Sequence, residues 1–413
     1  MIAEIISIGD ELLNGMTVNT NASYIGQELT GEGIEVRWID TVGDHQDRLQ
    51  DAIFEASRRA DIIILTGGLG PTHDDITKKV VAGFFKKSLV FQPEIYQRLK
   101  AYFQSRGRTF SPLNRVQAEI PDGAEILKNP LGSAPGFYLS KDHNHFFVMP
   151  GVPVEMQAMM QSSVLPKLRQ IGSSRSHYSK NLHTIGISES TLNEAFISFG
   201  DRFPGVRLAS LPNAQGVTLR LSMNISGEAG VEAIFKKAVG FARNATGRYL
   251  FGEDEDTIES VVGSLLLKRK WSLAVAESCT GGLICHRLTN ISGSSRYFKQ
   301  GFVTYSNQAK IELLNVSESV IRKYGAVSEK TAIAMAESVI RLSGADAGLS
   351  VTGIAGPSGG SKDKPVGLVY IGYADRNHHT VEKFIFYHDR LINKTRFSGY
   401  ALDLVRRMLQ DNT

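Results

Sequence analysis

Three short apolar runs in this chain, Glu4–Ile8, Asp61–Leu65 and Ser272–Glu277, lead directly into loops rich in glycine, hydroxyl and acidic residues. A strand that is apolar at nearly every position must be covered on both faces, which calls for a parallel sheet flanked by helices. The first two runs alternate with helical patterns at Asn21–Glu32 and Arg48–Arg59, and a further strand is expected at Glu35–Val42. His145–Met149 reads as a later strand, ending at Pro150-Gly151-Val152-Pro153. The third run opens a second series. It predicts a helix over Gly281–Ile291, a strand over Tyr297–Tyr305, a helix over Glu329–Gly344, and strands at Ala347–Thr352 and Gly367–Tyr373.

Between the two series the pattern breaks. Ile171–Ser179 is rich in Gly and Ser and reads as a linker, and the acidic Gly252–Asp256 reads as a second one before a helix at Thr257–Lys268. The intervening stretch predicts strands at Asn181–Ile187 and Val217–Asn224 and helices at Ser190–Phe199 and Gly230–Thr246. The expected fold class is therefore α/β: two α/β domains with mainly parallel sheets, 1–170 and 257–413, joined by a small α+β module over 180–252. A chain of 413 residues accommodates that division.

Composition narrows the function classes. Hydrophobic residues are 42% and charged residues 21%, which suits packed cores and argues against disorder. Lys plus Arg is 46 against 42 for Asp plus Glu, a net +4 that gives no electrostatic reason to expect nucleic acid as a partner. Cys279 and Cys285 are too few for a disulfide framework or a cysteine metal site. The N-terminal apolar run has no basic residues before it and is about strand length, and no stretch reaches the ~18 apolar residues of a membrane span. A cytoplasmic protein with no membrane partner is expected.

The chemistry concentrates at the strand ends. Ala276-Glu277-Ser278-Cys279-Thr280-Gly281-Gly282 joins a strand to a helix, where unpaired backbone N–H groups suit a phosphate or an oxyanion. Two further loops carry hydroxyls, glycines and one lysine: Tyr305-Ser306-Asn307 with Lys310, and Val351-Thr352-Gly353 running to Gly360. Taken one at a time these have plain structural readings as a helix cap, a core aromatic and a solvated lysine. In the first series, Asp10 and Glu11 follow one strand and Asp44 follows another. The turn Thr66-Gly67-Gly68-Leu69-Gly70 leads to His73-Asp74-Asp75. Those glycines fit a phosphate-cradling turn, and the carboxylates could hold a divalent ion.

Six ordered segments (AESCTGG, GSS, GFVTYSNQAK, GAVSE, SVTGIAGPSGG and KPVG) resemble the C-terminal domain of the CinA, or competence/damage-inducible, family, the nicotinamide-mononucleotide deamidases. The resemblance implies hydrolysis of nicotinamide mononucleotide to nicotinic acid mononucleotide and ammonia, without a cofactor. It makes Ser278 the nucleophile and Tyr305 and Lys310 its catalytic partners. Backbone donors would come from Thr280, Gly281 and Gly282. Ser295, Thr352 and Gly353 would complete the substrate site, with Arg390, or alternatively Arg396, on the phosphate. Cys279 is the rival nucleophile.

GDELLNG, TGGLGPTHDD, Asn114 to Gln117 and MPGVPVEM are similar to the molybdopterin-binding-like N-terminal domain of the same family, although Leu69 stands where molybdopterin enzymes usually carry Thr. That resemblance implies a metal-dependent ADP-ribose pyrophosphatase. Gly67, Gly68 and Gly70 would face the phosphates, with Asp10, Glu11, Asp44, Asp74 and Asp75 about the metal. The combined expectation is a homodimeric, two-activity enzyme of pyridine-nucleotide salvage. The alternative is a nucleotide- or pterin-binding accessory protein in competence or the DNA-damage response.

Overall fold

In a computed structural model, residues 1–172, 177–224 and 230–411 are described. Part of the expected linker, 173–176, lies outside them. Met1–Tyr178 forms one compact unit, whereas Ser179–Met223 packs together with the chain from Gly230 onward in another.

The first unit is built on a six-stranded sheet. Its strands are β1 (Ile2–Ile8), β2 (Glu35–Val42), β3 (Ile62–Thr66), β6 (Glu125–Leu127), β7 (Gly136–Lys141) and β8 (Asn144–Met149), in the order β2-β1-β3-β8-β7-β6. Two three-residue strands, β4 (Leu89–Phe91) and β5 (Glu119–Pro121), pair separately. β1, β3 and β8 are buried almost throughout and pair in parallel, as their apolar runs require. The β8-β7-β6 side is antiparallel, an extension the apolar runs do not announce. Glu4 is the exception inside β1: fully buried, it meets Arg59 at 2.8 Å through two parallel hydrogen bonds.

The second unit begins with a four-stranded sheet, β10 (Arg207–Pro212), β11 (Gly216–Asn224), β9 (His177–Ile185) and β12 (Leu250–Glu253) in that order, backed by the helix Val231–Thr246. β11 alternates buried and half-buried positions, the signature of one covered face.

A five-stranded sheet follows. β13 (Leu273–Glu277), β14 (Phe298–Val303), β15 (Ala347–Gly353), β16 (Leu368–Asp375) and β17 (His379–Ile385) run in the order β14-β13-β15-β16-β17. β14, β13 and β15 are parallel and β16 and β17 antiparallel, so the α/β expectation stands with mixed rather than uniform sheets. The helix Arg390–Asp411 covers one face through Phe397, Ala401, Leu402, Val405 and Leu409. The parallel trio sends the ends of β13, β14 and β15 to one edge, the usual ligand edge of an α/β sheet.

Candidate active site

Ser278 stands one residue past β13, and its amide donates to Val351 O of β15 at 3.0 Å, which fixes the strand end. β14 ends beside it, and Ser306 caps the helix Asn307–Leu314 through its side chain. One turn into that helix, Lys310 points back into the sheet edge. Its Nζ lies 3.0 Å from Ser278 Oγ and 2.8 Å from Thr304 O. Lys310 is 1% exposed, and burial lowers its pKa from 10.5 to about 8. No carboxylate offsets that burial. A solvated helix lysine, the ordinary reading of this residue, is therefore excluded.

Cys279 is buried as well, and burial pushes its thiol up to about 12. It stays protonated at neutral pH and cannot serve as a thiolate nucleophile. Of the two side chains at this turn, only Ser278 has a basic group within hydrogen-bonding distance among the described residues.

The turn itself corrects one expectation. Gly281 and Gly282 adopt φ of 61° and 93°, a region open to glycine. Their amides are occupied, though. Gly281 N–H donates to Ser278 O at 3.1 Å, and Gly282 N–H donates to Glu277 Oε2 at 2.9 Å. Glu277 is fully buried and also accepts from Ile284 and Cys285, so its carboxylate caps the helix Leu283–Thr289. The amides of Gly281 and Gly282 are spent on structure rather than aimed at an oxyanion. The Cys279 and Thr280 N–H groups donate to no oxygen among the described residues.

An open pocket of about 240 Å3 lies over the pair. Ser278, Tyr305, Lys310, Thr352, Gly353 and Arg390 all line it. Tyr305 is 61% exposed and sits on the rim, where its hydroxyl accepts from Arg390 Nη2 at 2.9 Å; it bonds neither Ser278 nor Lys310. The structure thus holds a Ser–Lys pair with Tyr305 beside Arg390, not a continuous Ser–Tyr–Lys relay. Arg390 also donates to Gly356 O at 2.7 Å and has no carboxylate partner among the described residues. Arg396 lies over the Phe386 ring and does not line the pocket, whereas Arg390 does. Thr352 spends its hydroxyl on Ala326 O at 2.7 Å.

Ser295 is elsewhere. It is exposed in the short turn before β14, whereas Ser278 follows the parallel β13. Six strand residues at ~3.3 Å each separate the two ends of that sheet. Sequence reading missed Thr304, whose carbonyl holds Lys310, and the capping role of Glu277.

In the first unit the acidic residues divide. Asp75 accepts from Gly70 N, Thr72 N and Thr72 Oγ1 at 2.6–2.8 Å, so its carboxylate closes the loop. Asp74 is exposed and meets His73 at 2.8 Å. Asp10 and Asp44 exchange backbone-to-carboxylate bonds at 3.1 and 3.2 Å. The Asp44 carboxyl is held above its usual range by burial first, then by Asp10, Glu11 and Asp74. Among the described residues no three His, Cys, Asp or Glu are grouped to hold a metal.

The glycine turn is structural in the same sense. Gly67 and Gly70 donate their amides internally, and a Cβ on Gly67 or Gly68 would stand 2.2 Å from Ile8 O or 2.3 Å from Thr77 Oγ1. Glu11, Ser7, Asn19, Asn21 and Thr66 instead line a pocket of about 80 Å3 at the ends of β1 and β3, where the buried Asn21 Oδ1 has no partner among the described residues.

These modules define a class: an α/β chain of three parts whose last part carries a buried serine–lysine pair. Family models match accordingly. The probable molybdopterin binding domain covers 4–170, the damage-inducible protein CinA KH domain 179–252, and the CinA C-terminal domain 255–409. A CinA-like protein of Chloroherpeton thalassium is 46% identical over 99% of both chains. A putative competence-damage inducible protein of Caldicellulosiruptor saccharolyticus is 43% identical over 99% of both. The chain belongs to the CinA family. Among solved structures, the competence/damage inducible protein CihA from Agrobacterium tumefaciens is 37% identical, covering 37% of this chain and 93% of its own, with a TM-score of 0.36. No helix among the described residues is long and apolar enough to cross a membrane.

Proposed function

We propose that the last module hydrolyses the carboxamide of nicotinamide mononucleotide, with Ser278 as nucleophile and Lys310 as its base. The observation that carries this reading is the buried Nζ 3.0 Å from Ser278 Oγ with its pKa lowered to about 8. A serine hydroxyl needs an adjacent base, and a lysine becomes one only when burial favours its neutral form. Neutral Lys310 keeps one N–H on Thr304 O and turns its lone pair toward the serine proton.

Ser278 Oγ then bonds to the carboxamide carbon as its proton passes to Lys310. Oxyanion charge falls near the Thr280 amide. Collapse of the tetrahedral species breaks the C–N bond, Lys310 returns the proton to the departing nitrogen, and ammonia leaves. Water, deprotonated by the same lysine, cleaves the ester and releases the pyridine carboxylate and Ser278. The pyridinium of the substrate adds a second reason for Lys310 to be neutral. Arg390, with no carboxylate of its own, suits the phosphate. The test is ammonia release from nicotinamide mononucleotide by the full chain. A folded protein that released none would end this reading.

For the first module the same family reading gives hydrolysis of ADP-ribose to AMP and ribose 5-phosphate. It is supported by the polar pocket at the ends of β1 and β3 beside the Asp10–Asp44 corner. The side chains there do not by themselves make a metal site, and no step through an ion is derived. AMP formation from ADP-ribose by the full chain, and its loss in Glu11→Gln, is the measurement.

A further inference from the structure

The second unit also holds a cleft larger than the serine–lysine pocket. A cavity of about 420 Å3 opens between the β10–β11 turn of the middle module and the N-terminus of the helix Ile258–Arg269. Volumes of this size suit small-molecule ligands.

Its walls have a definite character. Phe251 and His183 form a planar side, their rings 5.8 Å apart and 24° from parallel. The His183 ring is locked: Nε2–H donates to Asp254 O at 2.7 Å, so Nδ1 accepts from Thr218 Oγ1 at 3.0 Å. Asn213 Oδ1 accepts from Gln215 N and Gly216 N, and Gln215 Oε1 accepts from Arg287 at 3.0 Å. Asn213 therefore has only its NH2 group left to offer a ligand, and Gln215 offers its NH2 group and one remaining acceptor lone pair. Asp256 adds a carboxylate, whose Oδ2 accepts from Glu253 N at 2.9 Å and whose other oxygen is left for a ligand. Glu259 is neutralised by a two-bond pair with Arg287, both bonds 3.0 Å, and no Lys or Arg lines the cleft.

An aromatic wall, two NH2 donors and one carboxylate without a cation make a recognisable combination. A planar base stacks on the rings. Adjacent acceptors on that base, such as the O6 and N7 of guanine, meet the two donors. A ribose diol donates to the carboxylate. A phosphate meets the like charge of Asp256, with no Lys or Arg lining the cleft to offset it.

The cleft is also wired to the catalytic turn. Arg287 stands on the helix Leu283–Thr289 that follows the Ser278 turn. It is 7% exposed and donates to Glu259, to Gln215 and, at 2.8 Å, to Ser398. Ser398 lies on the helix that begins with Arg390. Two of Arg287's three partners line the cleft, and the third shares a helix with the pocket cation.

We propose that this cleft is a second small-molecule site, built for a nucleoside with an acceptor-bearing base, and that its occupant acts on the Ser278 turn through Arg287. The coupling half rests on the amidase reading; the binding half does not.

The test uses the full chain carrying Ser278→Ala and guanosine as probe, followed by ligand-observed NMR and calorimetry. Saturable binding is expected, weakened about tenfold or more by Gln215→Ala and by Asp256→Asn, the scale of losing one good polar contact. GMP should bind more weakly than guanosine. Absence of guanosine binding at millimolar levels, equal affinity in both variants, or tighter binding of GMP would each overturn the site. A melting curve for each variant separates lost binding from lost fold, and Asp256→Asn is nearly isosteric should Gln215→Ala unfold. With Ser278 restored, guanosine should change kcat/KM for ammonia release, and Gln215→Ala should abolish that response. An unresponsive but active enzyme that still binds guanosine overturns the coupling. A chain that releases no ammonia yet binds guanosine at this cleft refutes the amidase reading and leaves the site standing.

Discussion

At the scale of single residues, the protonation of Lys310 governs both activity and stability. Its folded pKa of about 8 lies below its ordinary 10.5, so the folded chain binds fewer protons than the unfolded one between those values. Stability therefore rises with pH across that window and is lowest below about 8. Catalysis moves the same way, because only neutral Lys310 can take the serine proton. The kcat/KM for ammonia release should rise with pH and level off above about 8; a profile flat from pH 6 to 9 would remove Lys310 as the base. Lys310→Met should abolish turnover. A pKa displaced that far corresponds to about 3 kcal/mol of burial penalty at neutral pH. Losing the bonds to Ser278 and Thr304 offsets about 1 kcal/mol each, so the variant should melt at the wild-type temperature or a few degrees above at pH 7. Ser278→Ala should likewise be inactive and folded, while Cys279→Ala should keep most activity, since its buried thiol never ionises near neutrality. Loss of activity in Cys279→Ala with full activity in Ser278→Ala would reverse the assignment.

Elements explain which parts of this site could be read in advance. β13, β3 and β8 were legible because a fully buried strand has to be apolar along its length. The glycine-rich junction after β13 marked where ligands gather. The helix Arg390–Asp411 was not legible, because its buried face carries Asn393, Ser398, Asp403 and Arg406 among the apolar residues, which blurs the stripe. The three-residue strands β4, β5 and β6 are set by their partners rather than by any local pattern. Ser295 was placed in the site because spacing along the chain does not say which end of a strand a loop occupies; the parallel register of β13 and β14 does. Glu277 was hidden for a related reason. In sequence it is one more carboxylate at a loop, but burial and three backbone donors make it the cap of the helix Leu283–Thr289. Hydrogen bonds to a charged acceptor contribute about 1.5–3 kcal/mol each, so Glu277→Ala should cost at least ~3 kcal/mol in denaturant unfolding and misplace Ser278 as well. Glu277→Gln, which keeps one acceptor oxygen, should recover part of the stability. An unchanged melting curve for Glu277→Ala would show that the turn holds its shape without the cap.

At the scale of the whole molecule, the middle module belongs physically with the last one. Arg406 is 2% exposed and donates to Arg248 O at 2.9 Å and Leu250 O at 3.4 Å, while Arg287 reaches Gln215. Every residue of the serine–lysine pocket nonetheless comes from beyond residue 277. A fragment of residues 257–413 should therefore release ammonia, but melt below a fragment of residues 179–413, because removing the middle module exposes apolar and polar surface that the longer fragment buries. Residues 1–170 alone should release none. Chelation gives the complementary division. Nucleophile and base are both side chains in the last module, so EDTA should leave ammonia release nearly unchanged in the full chain and in either C-terminal fragment. In the first module Asp75 is spent on its own loop, Asp74 faces His73, and Asp10 is bonded to the Asp44 backbone. Desalted full-length protein should accordingly carry well under one equivalent of metal by elemental analysis and show no calorimetric Mg2+ site in the absence of nucleotide. A stoichiometric ion surviving desalting, lost in Asp10→Asn or Asp44→Asn, would mean that these carboxylates close around a metal after all. An ammonia-releasing activity abolished by EDTA would replace Ser278 with a metal-activated water as the attacking group.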